Sequence, residues 1–189
     1  MQRVMGVIAL WIVVGFAPPA SAVEFVFTDF RNLSPFVLNG SAQELAKDTQ
    51  RDGALRLTKK LWQSGNAFLK RRVKLVEGFT FSTYFRVRMK DPLGISDRHG
   101  DKRVQGADGI VFTIQTQSAV VGRKGAGIGY KGIMPSIGIE LDSWKNGGPD
   151  KDGNHVGINT NGSIKSVAAA WVEEPLNNGR IWHTWVDYD

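Results

Sequence analysis

Two-residue alternation of apolar and polar positions runs along most of the chain, and it predicts strands. Phe79, Phe81, Thr83, Phe85, Val87 and Met89 share one face of the stretch Phe79 to Met89, the clearest strand of all. Ile137, Ile139 and Leu141 alternate with Gly138, Glu140 and Asp142, so one face is apolar and the other acidic. The chain re-enters a strand at His155, with Val156-Gly157-Ile158 as its body. Val23, Phe25 and Phe27 alternate with Glu24, Val26 and Thr28, which predicts a first strand over Val23 to Phe30. Gly53 to Thr58 alternates as well, and Gln63 to Ala67 turns into an extended run from Phe68 to Val76. Ile110 to Gln115, Ser163 to Val172 and Arg180 to Asp189 complete the set; in the last, Trp182, Thr184, Val186 and Tyr188 alternate with Ile181, His183, Trp185 and Asp187. Only Ser41 to Lys47 looks helical. Short strands with turn signals such as Asn39-Gly40 predict a single all-β domain.

The N-terminus departs from this pattern. Arg3, the apolar run Val4 to Phe16 and the small residues Ala20-Ser21-Ala22 have the order of a secretory signal peptide over residues 1–22, cleaved after Ala22. The run is shorter than the ~20 residues a spanning helix needs, and Pro18-Pro19 interrupts it, so no stable membrane span is expected. The expected location is therefore secreted, extracellular or periplasmic. The chain has no cysteine, which removes disulfides, thiol catalysis and thiolate metal sites together. Net charge is +6, but the basic clusters Lys59-Lys60, Lys70 to Arg72 and Arg98 to Arg103 are not interleaved with aromatics, so nucleic acid is not an expected partner.

The candidate chemistry lies between Gly138 and Asn159. Glu140 and Asp142, on one face of one strand, repel each other unless a cation lies between them. A turn at Gly147-Gly148-Pro149 then presents Asn146, Asp150, Asp152 and Asn154, all oxygen donors, ahead of His155. Carboxylate, amide and carbonyl oxygens suit a hard cation such as calcium. One imidazole among carboxylates suits a transition ion such as manganese. Taken alone, an Asp/Asn-rich loop reads as a solvated hairpin; the ordered spacing of Glu140, Asp142, Trp144, Asn146, Asp150 and His155 argues against that.

This spacing resembles the metal-binding segment of the legume-type (L-type) lectins, E-x-D-x-[aromatic]-x-N followed by an Asp five residues before His-[IV]-G-I. The resemblance implies that Glu140, Asp142, Asp150 and His155 hold a manganese-type ion. It further implies that Asp142, Asn146, Asp150 and the Trp144 carbonyl hold calcium, with Asp142 and Asp150 bridging. Asp152 is the rival to Asp150. Gly106-Ala107-Asp108-Gly109 before Ile110-Val111-Phe112 matches the family's A-D-G-[IL]-[AV]-F, whose Asp accepts sugar hydroxyls through a cis Ala-Asp bond, here Ala107–Asp108. Val121 to Ile133 is glycine-rich but lacks the Lys-[Ser/Thr] of a phosphate loop. It is similar to the family's G-G-x-L-G-[LY] loop, where a backbone N–H meets the sugar, with Ala126 standing at a family glycine and Gly127 beside it.

The resemblance implies a concanavalin-like β-sandwich jelly roll of antiparallel sheets with Greek-key connections over residues 23–189, whose C-terminal strands are missing. It implies a carbohydrate-binding lectin rather than an enzyme, with glycans or glycoproteins as partners and homo-oligomer formation left open. Asp108, Ala126, Gly127, Trp144 and Asn146 would meet the sugar, and calcium and manganese (or another transition ion) would order them. Two alternatives stand beside it. A jelly-roll adhesion module would bind no sugar. A laminarinase-like glycoside hydrolase would need a second Glu where Trp144 or Lys145 stands, with the two carboxyls about 5–5.5 Å apart for a retaining mechanism. Asp91 to Gln105 has no family counterpart and is expected to be a mobile surface loop with His99 exposed in it. Asn32, Asn39 and Asn161 each begin a glycosylation sequon.

Overall fold

The computed structural model describes residues 23–99, 102–119, 122–147, 150 and 152–189. The signal-peptide reading, Gly148-Pro149, Val121 and the His99 side chain lie outside the described residues.

The strands pair antiparallel throughout. β1 (Phe36–Gly40) pairs with β2 (Gly65–Leu69), and β3 (Phe81–Val87) with the late strand β10 (Trp182–Tyr188). β6 (Gly109–Gln115), β7 (Ser136–Asp142), β8 (His155–Thr160) and β9 (Ala168–Trp171) form a four-stranded sheet in that order. The helical expectation resolves into α1 (Ser41–Glu44) and α2 (Ala46–Asp52), ended by Gly53 in the left-handed conformation at φ 72°.

Three expectations are corrected. Val23 to Phe30 forms no strand. Phe27, Phe30 and Phe36 gather with ring centroids 4.8–6.2 Å apart, and the Phe30 N–H bonds to the Gly53 carbonyl, so this segment is held by its aromatics. Gly53 to Thr58 is also strandless, because Arg56 N–H goes to Thr49 Oγ1 and the Leu57 carbonyl accepts the Ser41 hydroxyl. Residues 91–105, by contrast, contain a hairpin, β4 (Ser96–His99) against β5 (Lys102–Gln105). It is tied down on both sides: Asp97 Oδ2 accepts the Lys145 N–H at 2.8 Å, and Asn177 Nδ2 donates to the Gln105 carbonyl at 2.7 Å.

The core lies between the β3–β10 ladder and the four-stranded sheet. Val87, Leu141 and Leu176 are buried together, with Phe85, Ile110, Val156 and Trp182 packed around them. Ile110, Leu141 and Val156 stand opposite one another across β6, β7 and β8, so the apolar face of β7 meets this core. Phe85 stacks on Phe112 at 5.4 Å between the two sheets. The polar face of β7 is nevertheless the more deeply enclosed one: Ser136, Gly138, Glu140 and Asp142 are all buried, while Ile137 and Ile139 are half-buried. Among the described residues no helix is long and apolar enough to cross a membrane.

Candidate functional site

A buried carboxylate is costly unless hydrogen bonds or opposite charge compensate it. β7 buries two of them, Glu140 at 1% exposure and Asp142 at 2%, beside His155 at 3%. Register makes the cluster: Asp142 stands opposite His155 and Glu140 opposite Gly157 across the β7–β8 ladder. Glu140, Asp142 and His155 each offer a ligand atom, and the three atoms lie within 4.8 Å of one another.

Gly157 makes the room. A Cβ there would lie 2.4 Å from Glu140 Oε1 and 2.5 Å from Ser166 Oγ. Glu140 accepts the Ser166 hydroxyl on Oε1 and Asn159 Nδ2 at 2.6 Å on Oε2, and His155 Nε2 stands 3.3 Å from Oε1. Burial pushes the Glu140 carboxyl up, but the contacts from His155, Ser166 and Asn159 outweigh it and hold the group below its usual range. Asp142 has less compensation. Burial pushes it up to about 8, against one opposing hydrogen bond from Trp144 N–H at 2.7 Å. His155 is raised to about 9, first by its contact with Glu140. Its buried Nδ1 has no hydrogen-bond partner among the described residues and lies 3.5 Å from Asp152 Oδ1.

This donor set fits a divalent cation. Two carboxylates and an imidazole converge, one carboxylate is forced towards neutrality by burial, and a glycine keeps the space open. Neither Asp150 nor Asp152 belongs to the tight trio. Asp150 Oδ2 accepts the Asn146 N–H at 2.7 Å and so closes the loop, while Asp152 faces His155. Asn146 Nδ2 lies 3.4 Å from the Trp144 carbonyl. The atoms expected around calcium are thus joined by hydrogen bonds along one loop. Ser166 and Asn159 escaped the sequence reading because a lone Ser or Asn near a turn carries no signal.

Asp108 sits one residue before β6, next to the cluster. Its carbonyl accepts both the N–H and the hydroxyl of Ser143, at 2.9 and 3.1 Å, and the Ala107–Asp108 bond is cis. Its carboxylate is half-buried and hydrogen-bonds to no described residue, and burial raises its pKa. The glycine-rich loop reaches the same place. Tyr130 is fully buried, with its ring so close to Gly138 that a Cβ there would approach it to 2.8 Å. Tyr130 also accepts the Ser136 hydroxyl at 2.8 Å, which docks the loop on the polar face of β7. A Cβ on Gly109 would lie 2.8 Å from Ile128 Cδ1 and 3.0 Å from the Asp142 Cα, so Asp108, this loop and Asp142 adjoin. Within the loop Ala126 is exposed, whereas Gly127 is buried with its N–H directed at the Lys124 carbonyl at 3.4 Å. Trp144 and Asn146 are half-buried.

The stacked antiparallel sheets define a jelly-roll β-sandwich, a fold shared with a solved lectin structure. The crystal structure of basic winged bean lectin with Tn-antigen superposes with a TM-score of 0.66 at 23% identity, over 86% of this chain and 68% of that one. Peanut lectin with a 9mer peptide matches with a TM-score of 0.46 at 29% identity, over 58% of this chain and 45% of that one. The legume lectin domain matches residues 22–189, and the chain belongs to that family.

Proposed function

We propose that this chain is a secreted carbohydrate-binding lectin whose sugar site is ordered by metal ions. Glu140, Asp142, Asp150 and His155 would hold a transition ion such as manganese. Asp142, Asn146, Asp150 and the Trp144 carbonyl would hold calcium. Bound there, the ions supply positive charge that lets Asp142 ionise in a buried place. Asp108 accepts sugar hydroxyls, Asn146 donates its amide N–H, Trp144 packs on the apolar face of the ring, and the exposed backbone at Ala126, held by the buried Gly127 beside it, donates from the facing loop. A site fixed before the sugar arrives does not lose affinity to loop ordering at each encounter.

The observation that carries this reading is the convergence of Glu140, Asp142 and His155 within 4.8 Å, in a fold where Asp108, a half-buried carboxylate without a hydrogen-bond partner among the described residues, stands beside them. The hydrolase alternative gains nothing from the geometry, since Glu140 is enclosed by Ser166, Asn159 and His155. A glycan array run with and without chelator tests the proposal. Binding to a defined glycan set that disappears with chelator and returns with calcium and manganese is expected. Binding indifferent to chelator would refute the metal role, and no binding on a broad array would leave the adhesion module as the better reading. The winged bean relative was solved with Tn-antigen, so that glycan belongs on the array.

A further inference from the structure

The outward face of the β3–β10 ladder carries chemistry that the site above does not use. Phe81, Thr83, Phe85 and Val87 turn inward, which leaves Ser82, Tyr84 and Arg86 outside, opposite Asp187, Trp185 and His183 in register. Trp185 is 65% exposed and Tyr84 49%, unusual for aromatic rings in mid-strand. The rings of Tyr84, His183 and Trp185 have centroids 5.1–6.1 Å apart and interplanar angles of 22–37°, and the Tyr84 hydroxyl meets His183 Nδ1 at 2.7 Å. They form one shallow aromatic platform, fixed from below by the strands.

A basic track continues from it. Arg86 and Arg88 follow Tyr84 on the same face at a spacing of about 6.8 Å per two residues. Neither forms an ion pair with a described residue; Arg88 spends only its Nε, on the Gly179 carbonyl at 2.7 Å. Arg88 then lines an open cleft of about 760 Å³, into whose wall the β4–β5 hairpin puts Arg103.

We propose that this face is a second carbohydrate-binding surface, and that its ligand is an acidic oligosaccharide bearing carboxylate or sulfate groups. The platform offers ring faces to the apolar C–H faces of pyranoses. Guanidinium groups with free N–H donors match carboxylate and sulfate oxygens. Asp187, exposed at the other end of the platform, accepts sugar hydroxyls. The surface stands apart from the Asp142 cluster and needs no metal.

Calorimetric titration of the full chain in excess chelator, with heparin-derived and polygalacturonate-derived oligosaccharides as probes and a neutral dextran oligosaccharide as control, tests this. Binding of at least one acidic probe and not the neutral one is expected. Trp185→Ala should weaken it about tenfold, as loss of a stacking ring does elsewhere. Arg86→Gln and Arg88→Gln should each weaken it and flatten its salt dependence. All three sites are exposed, and thermal melting checks that each variant folds; if Trp185→Ala does not, the arginine variants and Tyr84→Phe, which keeps the ring, carry the test. Any one of these results overturns the proposal: no binding of either acidic probe, full affinity in folded Trp185→Ala, tighter binding of a single-stranded DNA oligonucleotide, or a dimer in solution whose dissociation is needed before Trp185 becomes accessible to a quencher. Because chelator is present throughout, these outcomes are separate from the fate of the metal-dependent site.

Discussion

Replacing Asp142 by Asn separates the cost of the buried carboxylate from its use. Burial raises Asp142 from 3.8 to about 8, which corresponds to about 6 kcal/mol for keeping the group ionised in the metal-free fold. A folded-state pKa raised above the unfolded one contributes stability that is whole below pH 3.8 and lost as pH rises through about 8. His155, raised from 6.5 to about 9 chiefly by Glu140, has the same sign, its share being lost as pH rises from 6.5 through about 9. Glu140 has the opposite sign: its pKa is lowered, so its share is present above 4.5 and lost in acid. The chelated wild type should therefore be most stable in mild acid and lose melting temperature towards pH 9. Asn at 142 imitates the protonated carboxyl, so chelated Asp142→Asn should lose less over the same range and melt above chelated wild type at its alkaline end. Metal reverses the order. At a concentration 100-fold above Kd a bound ion adds about 2.7 kcal/mol. For a domain of this size that raises Tm by roughly 5–11 °C. Wild type should show this rise with calcium and manganese, and Asp142→Asn should not. Differential scanning calorimetry of both proteins across pH, with chelator and with each ion, reads these differences. A chelated wild type that gains stability between pH 6.5 and 9, or an equal metal-induced rise in Asp142→Asn, refutes the reasoning.

Asp108→Asn removes a carboxylate that has no hydrogen-bond partner among the described residues, so sugar binding should be lost while Tm stays within a few degrees of wild type; glycan binding and a melt on the same sample check it. Gly157→Ala puts a methyl group 2.4 Å from Glu140 Oε1, which should cost about 1–3 kcal/mol by overpacking and weaken metal binding in a calorimetric titration. Asp97→Ala frees the Lys145 N–H and should speed amide exchange in the Trp144–Asn146 stretch, with the β7–β8 ladder unchanged.

Much of this was legible in the sequence, and the misses share a cause. β8 begins at His155 as expected, β3 and β10 show the predicted alternation, and Glu140, Asp142 and His155 meet because strand register brings them together. Periodicity reports such placements since it is a property of the backbone. It failed for Val23 to Phe30, where alternation exists but no strand partner does, and the aromatics pack as a cluster instead. The hairpin at 96–105 was hidden because its residues are charged. What holds it are the contacts of Asp97 with Lys145 and of Gln105 with Asn177, 48 and 72 residues away in sequence. Ser166 and Asn159 were invisible for the same reason: their role is contact with Glu140 across 26 and 19 residues.

Alternation alone does not say which face of β7 is the more deeply enclosed. Periodic apolar residues are expected inside and polar ones outside, yet here the polar side is the more buried. The two faces do different work. Leu141 fixes β7 against Val87 and Leu176, and a close-packed core of this kind does not yield easily. Glu140 and Asp142, one residue to either side of Leu141, inherit that rigidity on the opposite face. A second layer then covers them: Tyr130 carries the glycine-rich loop onto Gly138, and Ser166 and Asn159 close over Glu140. Enclosure makes uncompensated charge expensive, and Asp142 is the group with the fewest partners to offset it. The fold thus concentrates its electrostatic cost at one carboxyl, next to Asp108, where a bound cation relieves it most. On the proposed function, stability and sugar binding would be coupled through that carboxyl, because an ion that lets Asp142 ionise would also order the loop that carries Trp144 and Asn146.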